Sequence, residues 1–171
     1  VICNRNSLKY LKKTIPLIKK ISFKEIIIID GNSTDGSKDF IKKNKIKIVS
    51  DKNKGLTYAR RLGTEIAQGK YLFFLGPDDK CNKNFINQLM KSFVNSNYDA
   101  ATPMIKIKNP KTYWDKSINF YLENIRTPGY SKVIGTPTIF KKYLFKHVQY
   151  KSKYDGCDDT WISNQLLKKN F

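Results

Sequence analysis

Two adjacent carboxylates, Asp78 and Asp79, follow the apolar run at residues 71–75 and a Gly-Pro turn. The chain has only 14 acidic residues against 33 lysines and arginines, so this pair calls for a chemical explanation. Neighbouring carboxylates suit a hard divalent cation, which can also bridge to phosphate oxygens. We therefore treat Asp78 and Asp79 as candidate metal ligands and expect Mg2+ or Mn2+ as the cation.

The elements that would position these acids alternate between strand and helix. Residues 26–29 are consecutive isoleucines, a pattern typical of a parallel strand covered on both faces. Leu56, Ala59 and Leu62 recur at helical spacing and predict an amphipathic helix. The resulting order predicts an α/β fold, with a mostly parallel central sheet flanked by helices and joined by right-handed crossovers. Residues 106–130 break this rhythm, and we expect an irregular, polar, aromatic and basic segment there, either a surface excursion or a partner-binding insertion.

Two predicted strands end in acids. The isoleucine strand leads into Asp30, and the strand at residues 71–75 leads into the acidic pair. Ligands of an open parallel sheet bind beyond the carboxyl ends of its strands, so we expect these carboxylates on one rim. Arg60 and Arg61, on the intervening helix, could neutralise a diphosphate. Taken singly, each feature also fits a turn, a helix cap or a solvated helix face.

The amino-acid composition indicates which binding partners and which cellular location to expect. A formal net charge of +19 favours anionic partners such as nucleic acid, an acidic membrane face or phosphorylated small molecules. Three widely spaced cysteines and one histidine argue against a disulfide framework or a zinc site and fit a cytoplasmic setting. Neither a spanning apolar run nor a signal peptide is visible. Both ends fall within patterned elements, so we expect a fragment of a longer protein.

Four stretches in fixed order resemble the family 2 glycosyltransferases, which have the GT-A fold. They are VICNRN, EIIIIDGNSTDGS, NKGLTYARRLGTEIAQGKYLFFLGPDD and GCDDTW. The resemblance implies transfer of a sugar from a nucleotide-diphospho-sugar, with a UDP-sugar favoured, to an acceptor hydroxyl with inversion, aided by Mg2+ or Mn2+. It also implies a single domain over residues 1–171, with a nucleotide-sugar-binding half at 1–105 and an acceptor-side half at 106–171.

The resemblance assigns roles by position. The residues that it places at the donor nucleotide-sugar are Asn4, Asp30, Asn53, Gly55, Arg60 and Asp78. Asp78 takes the last place of the family's Asp-x-Asp motif and becomes the metal-linked carboxylate, with Asp79 beside it, while Gly76 replaces the first Asp. Asp159 is the candidate general base that accepts the acceptor's proton, and Asp158 is its alternate.

The expected partners follow from these roles and from the charge. We expect a nucleotide-sugar donor and a glycan or lipid-linked acceptor, as in cell-surface polysaccharide synthesis, with peripheral contact at the anionic inner face of a membrane. No nucleic acid is expected, because the acids cluster where a nucleic-acid groove would be repelled. Two alternatives stay open: a basic nucleic-acid-binding α/β domain, and an inactive nucleotide-sugar-binding relative in which Gly76 marks a degenerate motif.

Overall fold

The computed structural model describes residues 1–124, 129, 135–150 and 158–171. Its strands are Ile2–Asn4 (β1), Ile27–Asp30 (β2), Lys47–Ser50 (β3), Tyr71–Phe74 (β4), Ala100–Ala101 (β5) and Thr138–Lys141 (β6). Its α-helices are Leu8–Ile18 (α1), Ser37–Lys43 (α2), Leu56–Ile66 (α3), Lys83–Val94 (α4), Tyr113–Asn124 (α5) and Asp158–Leu167 (α6). A 3-10 helix at Lys142–His147 follows β6. The predicted alternation of strands and helices is confirmed.

The described strands form two three-stranded ladders, which one parallel bridge joins into a single sheet. In the first ladder β2 lies between β1 and β3, and all three strands are parallel, with Ile28 in register with Ile2 and Ile48. The Leu75 N–H donates to the Val1 carbonyl at 3.0 Å, which joins β4 to β1 in parallel. In the second ladder β6 lies between β4 and β5 and runs antiparallel to both. The order across the described strands is β3-β2-β1-β4-β6-β5, so the prediction of a mostly parallel sheet is confirmed.

The isoleucine strand β2 lies at the centre of the core. Successive strand residues point to opposite faces of a sheet. Ile28 therefore packs in the cluster covered by α1, α2 and α4, while Ile27 and Ile29 pack in the cluster covered by α3 and α6. All three side chains are almost fully buried, and each such burial contributes about 2 kcal/mol. This two-sided burial anchors β2, and with it the position of Asp30 at its carboxyl end.

The expectation of an irregular excursion after residue 105 is wrong for α5. The Asp115 carboxylate accepts from the N–H groups of Lys111 and Thr112 at 3.0 Å, and Thr112 Oγ1 accepts from the Asp115 N–H at 3.0 Å. This reciprocal capping satisfies N–H groups that have no partner inside the helix.

Among the helices that the structure describes, none has the length and apolar character required to cross a membrane.

Candidate active site

A buried polar cluster lies at the carboxyl ends of β1 and β2. Asn4 Nδ2 donates to Asp30 Oδ1 at 2.8 Å and to Ser33 Oγ at 3.1 Å. The Ser33 hydroxyl donates to Asp30 Oδ1 at 2.6 Å, and the Ser33 N–H donates to Asp30 Oδ2 at 2.9 Å. All three residues are buried. The structure therefore brings Asn4 and Asp30 together and adds Ser33, which the sequence analysis did not identify as a site residue.

One atom of this cluster has capacity for a ligand. Asn4 Oδ1 is buried and has no hydrogen-bond partner within the described part of the chain. A buried acceptor without a partner costs about 1–3 kcal/mol, so such atoms call for an explanation. Because Asn4 ends a parallel strand, this oxygen lies at the edge where sheets of this type bind ligands. It can accept a hydrogen bond from an N–H or O–H group of a bound molecule.

The loop after β3 carries a buried acid that the sequence analysis missed as a site residue. Asp51 is 3% exposed, and its Oδ1 accepts from the Asn53 N–H at 2.7 Å. Asn53 and Gly55 both have positive φ, 58° and 90°, which asparagine tolerates and glycine adopts freely. Gly55 then precedes the first residue of α3. The signal for Asp51 was its position directly after a strand, the same feature that identified Asp30.

The turn after β4 holds its two acids differently. Asp79 is half-buried and turned towards its own loop, where its Oδ2 accepts from the Gly76 N–H at 2.7 Å. Asp78 is exposed. A Cβ atom at position 76 would lie 2.8 Å from Asp78 Oδ1 and 3.3 Å from Asp79 Oδ2. The missing side chain at Gly76 therefore lets both carboxylates occupy the space above it, and Thr14 of α1 steadies the turn by donating to the Pro77 carbonyl at 2.7 Å.

Electrostatics at this turn favour a bound cation. Burial raises the pKa of the Asp79 carboxyl above its ordinary value, and the neighbouring Asp78 charge raises it further, while the Gly76 N–H opposes both effects. Two carboxylates in one turn, one of them partly desolvated, repel each other when both are ionised. A divalent cation would remove that repulsion.

The residues present fit a cation that is shared with a ligand. Among the described residues, no group of three or more histidine, cysteine, aspartate or glutamate side chains converges into a metal site. Mg2+ is commonly held by only one or two carboxylates, with phosphate oxygens and water completing its shell. Asp78 and Asp79 match that incomplete donor set. They would hold a cation together with a diphosphate.

An ion pair joins Arg60 of α3 to Asp159 of α6. Arg60 Nη1 lies 2.5 Å from Asp159 Oδ1, and the two side chains are 10% and 31% exposed. A Cβ atom at Gly135 would lie 3.3 Å from Asp159 Oδ2, so the second oxygen also faces the chain just before β6. The side chain of Asp158 lies outside the described residues.

This ion pair lies at the same edge as the acidic turn. The Arg60 guanidinium is 5.7 Å from the centre of the Phe74 ring, and Phe74 pairs with Thr138 at the start of β6. Asp78 follows Phe74 by four residues. The structure thus brings Arg60 and Asp159 to the end of β4, where the turn with Asp78 and Asp79 begins.

Comparison with known proteins identifies the family of this chain. The profile described as glycosyl transferase family 2 matches residues 1–170. The chain belongs to this family. A matching curated relative, an uncharacterized glycosyltransferase of Rickettsia conorii, is 32% identical over 159 residues, which are 85% of this chain and 26% of that protein.

Solved structures share the fold at low sequence identity. S. aureus TarS 1-349 in complex with UDP-GlcNAc superposes with a TM-score of 0.73 at 16% identity, covering 96% of this chain and 51% of that one. The Pyrobaculum calidifontis mannosyltransferase PcManGT, in complex with GDP-Man and Mn2+, gives a TM-score of 0.72 at 14% identity, covering 96% and 50%. The likeness confirms the GT-A fold. The chain spans about half the length of these proteins and about a quarter of the Rickettsia relative.

Proposed function

We propose that this chain carries the donor-binding and catalytic site of an inverting glycosyltransferase that uses a nucleotide-diphospho-sugar, with a UDP-sugar favoured. The observation that carries the proposal is the Arg60–Asp159 ion pair at the end of β4. It holds a carboxylate near the end of β4, the strand after which the turn with two further carboxylates begins. An inverting transfer needs such a division: one carboxylate to take a proton and others to serve the leaving group.

The nucleotide would bind at the ends of β1, β2 and β3. Asn4 Oδ1 offers a hydrogen-bond acceptor for a ring N–H of the base, and Asp30 and Ser33 hold the Asn4 side chain in that orientation. Asn53 and Gly55 shape the loop that leads to Arg60. TarS and PcManGT, solved with UDP-GlcNAc and GDP-Man, support a nucleotide-sugar in a fold of this kind.

The diphosphate would lie over the turn after β4. Asp78 and Asp79 are the residues that would hold Mg2+ or Mn2+ there, and Mn2+ in the PcManGT complex supports that choice. When bound, the cation would neutralise the negative charge that develops on the departing diphosphate. The two acids have different roles, because Asp79 also accepts a hydrogen bond from the Gly76 N–H. Asp78 is the more accessible ligand, and Asp79 keeps the turn in shape.

Asp159 would act as the general base. Its Oδ1 is bound to Arg60, which anchors one carboxylate oxygen, and Oδ2 faces the position that a Cβ atom would take at Gly135. In the transfer, the acceptor hydroxyl gives its proton to Asp159 while its oxygen bonds to the anomeric carbon. The bond to the diphosphate breaks, and the electron pair leaves with the diphosphate oxygen. Attack from the side opposite the leaving group inverts the anomeric centre.

Donor hydrolysis, with water in place of the acceptor, tests the proposal. UDP-glucose, UDP-galactose and UDP-N-acetylglucosamine would be incubated with Mn2+, and the released sugar would be read by proton NMR before it mutarotates. We expect an α-linked donor to release the β-anomer first. Asp159→Asn should lower turnover by about 10²–10⁴-fold, because a positioned general base contributes that much, with the KM for the donor little changed.

The controls separate the possible outcomes. Glu65→Gln removes an exposed carboxylate from the same helix as Arg60 and should leave turnover unchanged. Release of the α-anomer would reject inversion, and wild-type turnover by Asp159→Asn would reject the base. Nucleotide binding without turnover of any donor would favour the inactive relative.

A further inference from the structure

The exposed face of α5 takes no part in the proposed reaction. Its aromatic side chains are well exposed: Tyr113 by 77%, Trp114 by 74%, Phe120 by 62% and Tyr121 by 53%. Trp114, Ile118 and Tyr121 follow one another at helical spacing and form a stripe. We define the α5 face as these five residues. Contiguous apolar patches of this kind mark contacts with proteins, membranes or ligands.

Exposed lysines precede α5 in the sequence and occur in its first turns. Lys106, Lys108, Lys111 and Lys116 are all exposed in or beside the helix. Asn119 clamps the preceding segment to α5, because its Nδ2 donates to the Ile107 carbonyl at 2.9 Å and its Oδ1 accepts from the Ile107 N–H at 2.7 Å. This clamp keeps the flanking lysines beside the helix instead of on a free loop.

We propose that the α5 face docks on an anionic lipid surface. Tryptophan and tyrosine favour the boundary between lipid and water, and lysine side chains reach from that boundary to lipid phosphates. A second copy of the chain fits less well, since two molecules of net charge +19 repel each other. A single-stranded nucleic acid would use the aromatic rings but would leave Ile118 without a partner.

The topology places both ends of the excursion that contains α5 at the edge of the sheet that carries the proposed site. β5 runs parallel to β4, so Ala101 leaves the sheet at the edge that carries Asp78. Thr138 begins β6 at that same edge, opposite Phe74. The α5 helix therefore belongs to an excursion that leaves and rejoins the sheet beside the proposed active site. If the proposed function holds, docking would bring that site to the bilayer and favour an acceptor linked to lipid.

Vesicle co-sedimentation tests the docking surface directly. The probes are vesicles of phosphatidylcholine alone and of phosphatidylcholine with phosphatidylglycerol. The test variant combines Trp114→Ser, Phe120→Ser and Tyr121→Ser. The control variant combines Tyr10→Ser, Val94→Ser and Tyr98→Ser, three exposed apolar residues outside the α5 face. Neither variant changes the net charge, so the long-range attraction to anionic lipid is the same in both.

We expect the wild type and the control variant to bind the anionic vesicles, and the test variant to bind them about tenfold more weakly. The remaining attraction should disappear at about 0.5 M salt, where charges are screened within a few ångströms. Equal binding by both variants would overturn the proposal, because charge alone would then explain it. Loss of a dimer or of oligonucleotide binding in the test variant, with vesicle binding retained, would assign the face to that partner instead.

The proposed function is tested apart from docking by the thermal shift with UDP and Mn2+. We expect that shift to be the same in the wild type and in both variants. If no protein responds to UDP while only the test variant loses vesicle binding, the proposed function fails and the docking surface stands.

Discussion

The Arg60–Asp159 ion pair should produce a measurable coupling energy in unfolding. The perturbation is a double-mutant cycle of Arg60→Met and Asp159→Asn, in which asparagine keeps an oxygen that can accept from the guanidinium. The two side chains meet at 2.5 Å and are 10% and 31% exposed. Their burial is therefore intermediate between that of an exposed ion pair and that of a fully buried one. Exposed pairs couple by about 0.2–1 kcal/mol, and residues that share a hydrogen bond or salt bridge couple by about 0.5–3 kcal/mol in such cycles. We therefore expect a coupling of about 2 kcal/mol.

Urea unfolding, which adds no ions, is the assay, and the free energy of unfolding is extrapolated to zero denaturant for all four proteins. The matched control is the neighbouring pair Arg61–Glu65, whose charged atoms are 3.4 Å apart and whose side chains are 44% and 56% exposed. In the control cycle Arg61 is changed to Met and Glu65 to Gln. That pair should couple by about 0.3 kcal/mol. A coupling for Arg60 and Asp159 no larger than the control would refute the contact, and with it the argument that Arg60 orients the candidate base.

Three further predictions follow from single groups. The folded-state pKa of Asp79 is raised, so its ionisation destabilises the fold as pH rises through that pKa. Asp79→Asn should therefore have a higher urea midpoint than the wild type at pH 7 while losing the Mn2+-dependent response to UDP, and a lower midpoint would contradict this. Burial, together with the Asp79 charge, raises the pKa of the Cys81 thiol to about 11, so peptide mass spectrometry should find Cys81 alkylated by iodoacetamide far more slowly at pH 8 in the folded protein than in urea. A Cβ atom at Gly135 approaches Asp159 Oδ2 to 3.3 Å, so Gly135→Ala should lower donor hydrolysis severalfold without altering the UDP thermal shift, and a loss of both would point to misfolding.

The repeating parts of the fold could be predicted because burial imposes a period on the sequence. The run at residues 26–29 matches β2, and the spacing of Leu56, Ala59 and Leu62 matches α3. The helix α5 was missed although Trp114, Ile118 and Tyr121 recur at helical spacing, because most of its apolar side chains face solvent and Leu122 is its one buried residue among those described. Its start did carry a local signal, the Thr112-x-x-Asp115 capping box, which is independent of burial.

The site was predictable only where residues follow strands. Asp30 lies at a strand end as expected, and the same rule would have identified Asp51. The pairing of Arg60 with Asp159 joins residues 99 positions apart, and no local pattern encodes such a contact. The inward turn of Asp79 towards Gly76 likewise depends on backbone geometry that the sequence does not display.

The most direct test of the central claim, a metal-assisted nucleotide site at the carboxyl edge of the sheet, is a thermal-shift panel. UDP, GDP, CDP and ADP would each be added with Mn2+, with Mg2+ or with chelator, to the wild type and to Asp78→Ala. At about one hundred times Kd, binding contributes about 2.7 kcal/mol, or roughly 5–10 °C in Tm for a domain of this size. We predict that UDP gives this shift with metal, and that chelator or Asp78→Ala abolishes it. No shift with any nucleotide and metal, or a wild-type shift in Asp78→Ala, would contradict the claim.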